Sequence, residues 1–428
     1  MKRPINKKII LAISYEDYVF NSGGVNKVIL AQSEIAMSHG YSVVYLCPFH
    51  VAKGLIGKSQ WLVRVDNEIA MVGTDNDVLT YIGILSKDNY VISGIQIHHL
   101  KGINLDSLMN ILNSITGNIY FYIHDYYTIC PYASGNLLKD DDSLCEVIEG
   151  KTPKCKECSR FNGNTRLIRD FIYCLSKRTK FIAPSESCKK IWTSYYKELA
   201  DKTIVIYHQK LVGNYYGCNE QLDLNSNVNL AFVGKQSSTK GWEDFKYIVS
   251  SLAGRSEYNF FCCGNGNEIV NNVKKIEIDF HNGLDAMTCA LRDNKIDVVL
   301  LLSKWPETYS YTYYESIAAN AYVLTYSCTG NICDQVLLRN NGAVFKDCER
   351  LIDFLVEKSS LINGINECRS KQLAPLVLEE NDDFINLFFN QRMIIDYKFY
   401  GGHINQISSK LLIFIYRFEN SVLKKRGL

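Results

Sequence analysis

The sequence predicts an α/β fold of two doubly wound parallel sheets facing one cleft. Three observations lead there. Apolar runs of strand length alternate with helix-length stretches whose apolar residues recur on one face. The alternation occurs twice, interrupted between Leu211 and Val228 by the polar, turn-rich stretch "GNYYGCNEQLDLNSN". The residues able to do chemistry fall just after the apolar runs, where open parallel sheets bind ligands. A length of 428 residues leaves room for two to three domains, and 47% hydrophobic residues suffice for their cores. The expected division is residues 1–210, residues 229–375 and a largely helical segment over 376–428.

In the first half, "KKIILAISY" reads as a buried strand. "GVNKVILAQSEIAMSHG" follows as a helix, with Val25, Val28, Ile29, Ile35 and Ala36 on one face and Gly40 as its stop. "YSVVYLCP", "NYVISGIQIHHL" and "GNIYFYIHD" are further strands, with "NLDSLMNILNSI" helical between the last two. "KFIAPSESCKKIWTSYY" is a strand entering a helix at Ser185, a good N-cap. In the second half "VNLAFVG", "YNFFCCG", "IDVVLLLS", "AYVLTYS" and "GAVF" are strands and "GWEDFKYIVSSLA" is a helix.

The 47 basic and 45 acidic residues leave a net charge of +2, so no basic field argues for nucleic acid. No stretch approaches the roughly 18 apolar residues of a membrane span. The apolar run Ile9 to Ile13 is too short for a signal-peptide core. With 15 cysteines and no such leader, reduced thiols or metal are expected rather than a disulfide framework, and the protein is expected in the cytoplasm.

The most informative stretch is "KWPETYSYTYYESIAANAYVL", Lys304 to Leu324. Glu307 falls in the loop after the strand Ile296 to Ser303, and Glu315 about two turns into the next helix. Between them the N–H groups of Thr308, Tyr309 and Ser310 are expected to lack helical partners, and that positive end suits a phosphate. One carboxylate can then reach a sugar hydroxyl on one side of a diphosphate, and the other a ribose hydroxyl on the far side. A nucleotide-sugar could be held in this way.

Other signals are weaker. Gly23 and Gly24 in "NSGGVNKVIL" allow a ligand to approach the first helix, or simply make a tight turn. Lys235 and Lys240 in "FVGKQSSTKGW" flank a loop tip, where paired cations could neutralise a leaving diphosphate or stand solvated. "FCCGNGNE", with Gly264, Gly266 and Glu268, resembles a nucleotide-contacting loop without being the full dinucleotide fingerprint. His124, at the end of "YFYIHD", can hydrogen-bond a substrate or serve the structure; His98 and His99 are similar candidates, on the acceptor side.

Cys130, Cys145, Cys155 and Cys158 lie in an insertion at 128–165, spaced Cys-x14-Cys-x9-Cys-x2-Cys. Four thiolates make a closed, structural zinc site, and metal would order a stretch too polar to hold itself. A redox pair or reduced thiols would use the same residues. Other cysteines, such as Cys262, Cys263 and Cys289, read as core. The tail "SSKLLIFIYRFENSVLKKRGL" is amphipathic at helical spacing and ends in Lys424, Lys425 and Arg426. It either packs on the body or touches an anionic membrane surface at the inner face.

Together these motifs resemble family 4 of the retaining glycosyltransferases, over Lys8 to about Phe345. "PETYSYTYYES" matches that family's glutamate-x7-glutamate signature, with an aromatic–small pair after Thr308. The order of glycines, histidine, lysine loop and glutamates matches too, and the cysteine insertion resembles a subgroup that builds bacterial surface polysaccharides. The resemblance implies the GT-B fold, two Rossmann-like domains with the acceptor on the first and the nucleotide-sugar donor on the second. It implies that Gly23 and Gly24 lie against the donor diphosphate, that His124 contacts the donor sugar, and that Lys235 and Lys240 clamp the diphosphate. Gly264 would line the donor loop, Glu307 would bind sugar hydroxyls and Glu315 the ribose, with the backbone around Tyr309 and Ser310 on phosphate. Lys235 stands where arginine is usual, which loses the bidentate fork; Asn320 stands where glycine is common, a variation in helix capping. The implied partners are a UDP-, GDP- or similar sugar and a glycan or lipid-linked hydroxyl acceptor. Retaining transfer in the family is thought to need neither a protein nucleophile nor, here, a catalytic metal, in keeping with a sequence that has no Asp-x-Asp in such a context. The rival readings are a sugar phosphorylase or epimerase on the same fold and a non-catalytic partner subunit.

Overall fold

The computed structural model describes residues 2–21, 23–49, 60–131, 135–139, 143–158, 164–213, 221–278, 285–371, 376–389, 391, 393, 409–410, 412–414 and 416–417. The first sheet contains β1 (Lys8–Ile13), β2 (Tyr41–Pro48), β3 (Trp61–Val65), β4 (Glu68–Gly73), β5 (Val91–Ile97), β6 (Ile119–Tyr122), β7 (Thr179–Ala183) and β8 (Thr203–Val205). Their order is β4-β3-β2-β1-β5-β6-β7-β8. From β2 to β8 every pairing is parallel, with Ile9 beside Ser42 on one side and Ile92 on the other. The sheet is not wholly parallel, as the sequence had suggested, because β3 and β4 form an antiparallel edge. Their two-residue turn, Asp66 (φ 47°) and Asn67 (φ 71°), has both residues left-handed, the geometry that matches hairpin twist.

Next comes β9 (Gln209–Gly213), then the second sheet: β10 (Val228–Val233), β11 (Tyr258–Cys263), β12 (Val273–Ile276), β13 (Val298–Leu301), β14 (Tyr322–Tyr326) and β15 (Gly342–Phe345). It runs β12-β11-β10-β13-β14-β15, parallel throughout. Both faces of both sheets are covered, so the strands read as near-continuous apolar runs. On the first sheet α1 (Gly24–Ser38) covers Ile10, Ala12 and Tyr45. The other face is covered by α2 (Asp75–Lys87), α3 (Leu105–Asn113), α4 (Asn164–Leu175) and α5 (Glu186–Tyr195). On the second sheet α6 (Trp242–Ser251) lies on one face. The other carries α7 (Ala286–Asp293), α8 (Tyr311–Ala318) and α9 (Asn331–Arg339). Finally α10 (Cys348–Val356) and α11 (Lys358–Lys371) join α6. Ser185 caps α5 as expected, accepting from the Cys188 N–H.

Two expectations are corrected at the domain junction. The stretch from Leu211 opens inside strand β9; residues 214–220 of the expected linker lie outside the described residues. The segment after Pro375 opens as β16 (Leu376–Glu380), antiparallel to β9, and not as helix. The segment LVLEE has no apolar–polar alternation of its own, and pairing with β9 satisfies its backbone. The chain then returns to the first sheet. Phe384, Ile385 and Phe388 fill the core beneath α1, and the Met393 N–H bonds the Ile92 carbonyl at 2.8 Å. Gly94 makes this possible, since a Cβ there would sit 2.4 Å from the Phe388 ring. The described part of the expected C-terminal helix packs the same core with Leu412, Ile413 and Tyr416.

Candidate functional site

Strand order reverses between β1 and β5 in the first sheet and between β10 and β13 in the second. Ligands of such sheets bind at the carboxyl ends beside these reversals. In the first sheet that position holds Ser14 to Gly24 and His98-His99; in the second it holds Gly234 to Lys240 and Ser303 to Glu307.

Glu307 leaves the end of β13 in a loop stitched to the start of α9: its N–H bonds the Thr329 carbonyl and its carbonyl accepts from the Asn331 N–H. The carboxylate is buried and held by Lys240 and the Ser303 hydroxyl. Lys240 also faces the Trp305 ring at 5.5 Å. The next residue joins the two halves. Thr308 Oγ1 donates to the His124 carbonyl at 2.6 Å, and the Ser185 hydroxyl donates to the Thr308 carbonyl at 2.6 Å. Helix α8 starts only at Tyr311, with Ser310 as a left-handed N-cap (φ 73°). The first N–H groups of the helix therefore belong to Tyr311 and Thr312, not to Thr308, Tyr309 and Ser310, and Glu315 lies little more than one turn in. The Tyr309 ring is buried and stacks on Tyr314, centroids 4.5 Å apart. The side chains of Thr308 and Tyr309 are thus committed to structure, as are their carbonyls, which accept from Ser185 and Asn331, and it is their backbone N–H groups that are left for a ligand.

Glu315 is buried, and its carboxylate meets Lys27 of α1 at 3.5 Å across the cleft. Burial raises its pKa, partly opposed by the Lys27 charge. Lys27 was not singled out by sequence reasoning. Its only local signal is a cation in the first turn of a helix behind two glycines, since its partner is 288 residues away.

His124 follows β6, as expected. Its Nε2 lies 3.0 Å from Nδ1 of His98, at the end of β5. A column of rings passes through the two: Tyr122, His98, His124, His208 and Tyr311, with neighbouring centroids 4.6, 5.3, 5.5 and 5.9 Å apart. The column runs from β6 to α8, from one sheet's end to the other domain's helix. Burial depresses His98 and His208 to about 3 and His124 well below the ordinary imidazole range. All three are neutral at pH 7. His208 was missed because "VIYHQK" carries no motif. His99 is spoken for: Nδ1 accepts from the Lys101 N–H at 2.9 Å, leaving Nε2–H for Asp125 at 3.1 Å.

The other sequence candidates divide. Gly23 (φ 175°) is extended and Gly24 opens α1; a Cβ at Gly24 would meet nothing within 4 Å, so packing does not demand glycine there. Gly264 is explained by packing, since a Cβ would strike the Gly234 carbonyl oxygen at 2.3 Å. Lys235 is exposed and, among the described residues, makes no ion pair; the structure unites Lys240, not Lys235, with Glu307. Cys130, Cys145, Cys155 and Cys158 are near enough for their charges to interact, and burial pushes Cys145 up to about 11. Among the described residues, no group of three or more His, Cys, Asp and Glu side chains is placed to hold a metal ion. Cys262 and Cys263 are core, but Cys289 is exposed on α7, contrary to expectation, because the buried face of that helix is filled by Met287 and Leu291.

No protein-family model matches the sequence, and no curated protein matches it significantly. Solved structures do. TarM superposes with a TM-score of 0.51 at 10% identity, covering 90% of this chain and 99% of that one. A glycosyltransferase from Rickettsia africae ESF-5 gives 0.50 at 14%, covering 90% and 94%. Sucrose-phosphate synthase from Thermosynechococcus elongatus gives 0.50 at 12%, covering 86% and 95%. At these identities the likeness is one of fold: the chain has the two-domain α/β architecture of the GT-B glycosyltransferases over most of its length.

Proposed function

We propose that the protein transfers a sugar from a nucleotide-sugar to a hydroxyl acceptor, with retention of anomeric configuration, in the assembly of a glycan or polysaccharide. One observation carries this reading. Two buried carboxylates eight positions apart bracket the amino end of α8, each held by a lysine, beside the point where Thr308 touches the His124 carbonyl. A diphosphate at the helix end would be favoured by the unpaired N–H groups and by Lys27 and Lys240. Its arrival would release Glu315 and Glu307 to accept from hydroxyls on either side, the ribose from Glu315 and the sugar from Glu307. Glu307 keeps the Ser303 hydroxyl and takes the sugar hydroxyls, and His124 Nε2 lies against His98 Nδ1 at 3.0 Å, so neither stands as a free nucleophile. That favours a front-face reaction in which the leaving phosphate oxygen takes the acceptor proton and the protein supplies position and field.

Thermal unfolding in the presence of UDP-, GDP-, ADP- and dTDP-sugars tests the reading, because a true donor raises Tm by mass action. One donor is expected to do so and to release nucleoside diphosphate when an alcohol acceptor is added. The product's anomeric proton coupling reports retention. No shift with any donor rejects the proposal; a shift without transfer to any acceptor favours a partner subunit.

The reading places the protein in the cytoplasm with a glycan or lipid-linked acceptor. A peripheral contact at the inner membrane face would fall to the tail, where Phe414 is exposed while Leu412 and Ile413 pack inward. Among the described residues no helix is long and apolar enough to cross a membrane. A structural zinc on Cys130, Cys145, Cys155 and Cys158 is a separate proposal, and it requires the insertion to close about the ion. Elemental analysis of reductively purified protein should give about one zinc per chain; none rejects it.

A further inference from the structure

We propose that His98 is a positioning residue that sets the tautomer of His124, so that His124 keeps its proton on Nδ1 and presents a hydrogen-bond donor beside the Glu307 loop. The proposal rests on the site reading above for its consequence, but not for its geometry.

His98 Nδ1 and His124 Nε2 are 3.0 Å apart, with ring planes 18° from parallel. Both rings are neutral, so a single proton lies between these nitrogens, and either ring can own it. If His124 owned it, His98 would accept at Nδ1 and carry its own proton on Nε2. His98 Nε2 is buried and, among the described residues, meets no hydrogen-bond partner. A buried N–H without an acceptor bears the full desolvation cost of a donor, and such orphans are rarer than unsatisfied acceptors. If His98 owns the proton, it donates from Nδ1 and the buried Nε2 is a bare ring nitrogen, which is the cheaper orphan. The second arrangement is favoured. It requires His124 Nε2 to accept, which puts the His124 proton on Nδ1.

The ring column fixes the planes in which this happens. Tyr122 stacks on His98 at 16° and His208 lies over His124 at 30°. His124 is therefore a neutral donor at one nitrogen and an engaged acceptor at the other. It can hydrogen-bond a sugar hydroxyl or phosphate oxygen from Nδ1–H, and it has no basic nitrogen left to take the acceptor's proton. His98, which touches no ligand in this scheme, determines that behaviour.

The test uses the full chain labelled with 15N-histidine. In the wild type, the ring nitrogen shifts should show Nδ1 protonated and Nε2 bare for both His98 and His124 between pH 6 and pH 8. His98→Asn keeps an N–H donor near the Nδ1 position; His98→Leu removes it. The asparagine variant should retain the Nδ1–H form of His124, and the leucine variant should lose it. With a nucleotide-sugar that binds the wild type, His98→Leu should weaken binding about tenfold, the size of one hydrogen bond, and His98→Asn should recover most of it. A wild-type His124 protonated on Nε2 overturns the proposal, even if neither variant folds. So does equal impairment of the two variants. Failure of the transferase reading looks different: no donor binds the wild type, while the ring shifts still report the tautomer.

Discussion

Glu315 shows at the scale of one residue how a buried carboxylate sets desolvation against an ion pair. Its carboxylate is 4% exposed while its partner Lys27 is 32% exposed, so the charge that suffers desolvation is the glutamate's. Burial raises its pKa above the ordinary 4.5. Between 4.5 and the raised value the folded chain binds more protons than the unfolded chain, so stability falls as pH rises through that window. Glu315→Gln removes the buried charge and leaves Lys27 with access to solvent. We expect a Tm gain of roughly 2–4 °C at neutral pH, equivalent to about 1 kcal/mol in a domain of this size, fading as pH approaches 4.5. The same variant should lose the donor-induced rise in Tm. A wild-type response to donor would remove Glu315 from the site; a lower Tm would mean that the ion pair outweighs desolvation. The spacing of the two glutamates was visible in the sequence because it is local. Their lysine partners were not equally visible, since Lys240 lies in a recognisable loop whereas Lys27 acts from another domain.

At the scale of elements, the β1–α1 loop is held by parts distant in the chain. Asp17 in that loop accepts from Arg64 of β3 at two atoms, both at 2.7 Å, and from the Tyr416 hydroxyl of the tail at 2.7 Å. Arg64 also faces the Phe20 ring at 5.1 Å. The acid and the base are only 3% and 4% exposed, so removing one strands the other. Asp17→Ala should destabilise by about 3–5 kcal/mol, the cost of an orphaned buried charge. Tyr416→Phe should cost only about 1 kcal/mol, because Arg64 still neutralises the carboxylate. Urea unfolding of both variants measures this, and equal losses would mean that the tail, not the ion pair, holds the loop. Of the elements that build this support, sequence reading had the tail but missed the β3–β4 hairpin, as it missed strand β16 elsewhere. The β3–β4 hairpin does have a signal, Asp66-Asn67 between apolar runs, and could have been found. Strand β16 has less, because five residues ending in "LEE" become a strand only through β9. Tertiary pairing overrode local preference there.

At the scale of the molecule, the two sheets were legible because strands buried on both faces spell themselves out as apolar runs. How the halves meet was not, because the junction is made of ordinary polar and aromatic residues: Ser185 and His124 on Thr308, Gln209 on the Tyr309 hydroxyl at 3.1 Å, and His208 on Tyr311. The ring column makes this junction sensitive to acid. In the unfolded chain His98 and His208 take up protons near pH 6.5, whereas in the folded chain both wait until about pH 3. Below 6.5 the unfolded state therefore binds more protons, and stability falls as pH falls. Each histidine adds one proton to the uptake, so unfolding at pH 4.5 to 5.5 should take up about two from this pair. His208→Phe preserves an aromatic ring between His124 and Tyr311 while removing one titrating group. The slope of unfolding free energy against pH should fall by about one proton in that variant, with the neutral-pH stability little changed. An unaltered slope would show that His208 is already protonated in the folded protein. The column could not then be a stack of neutral rings, and the close approach of His124 to the second domain would need another source of stability.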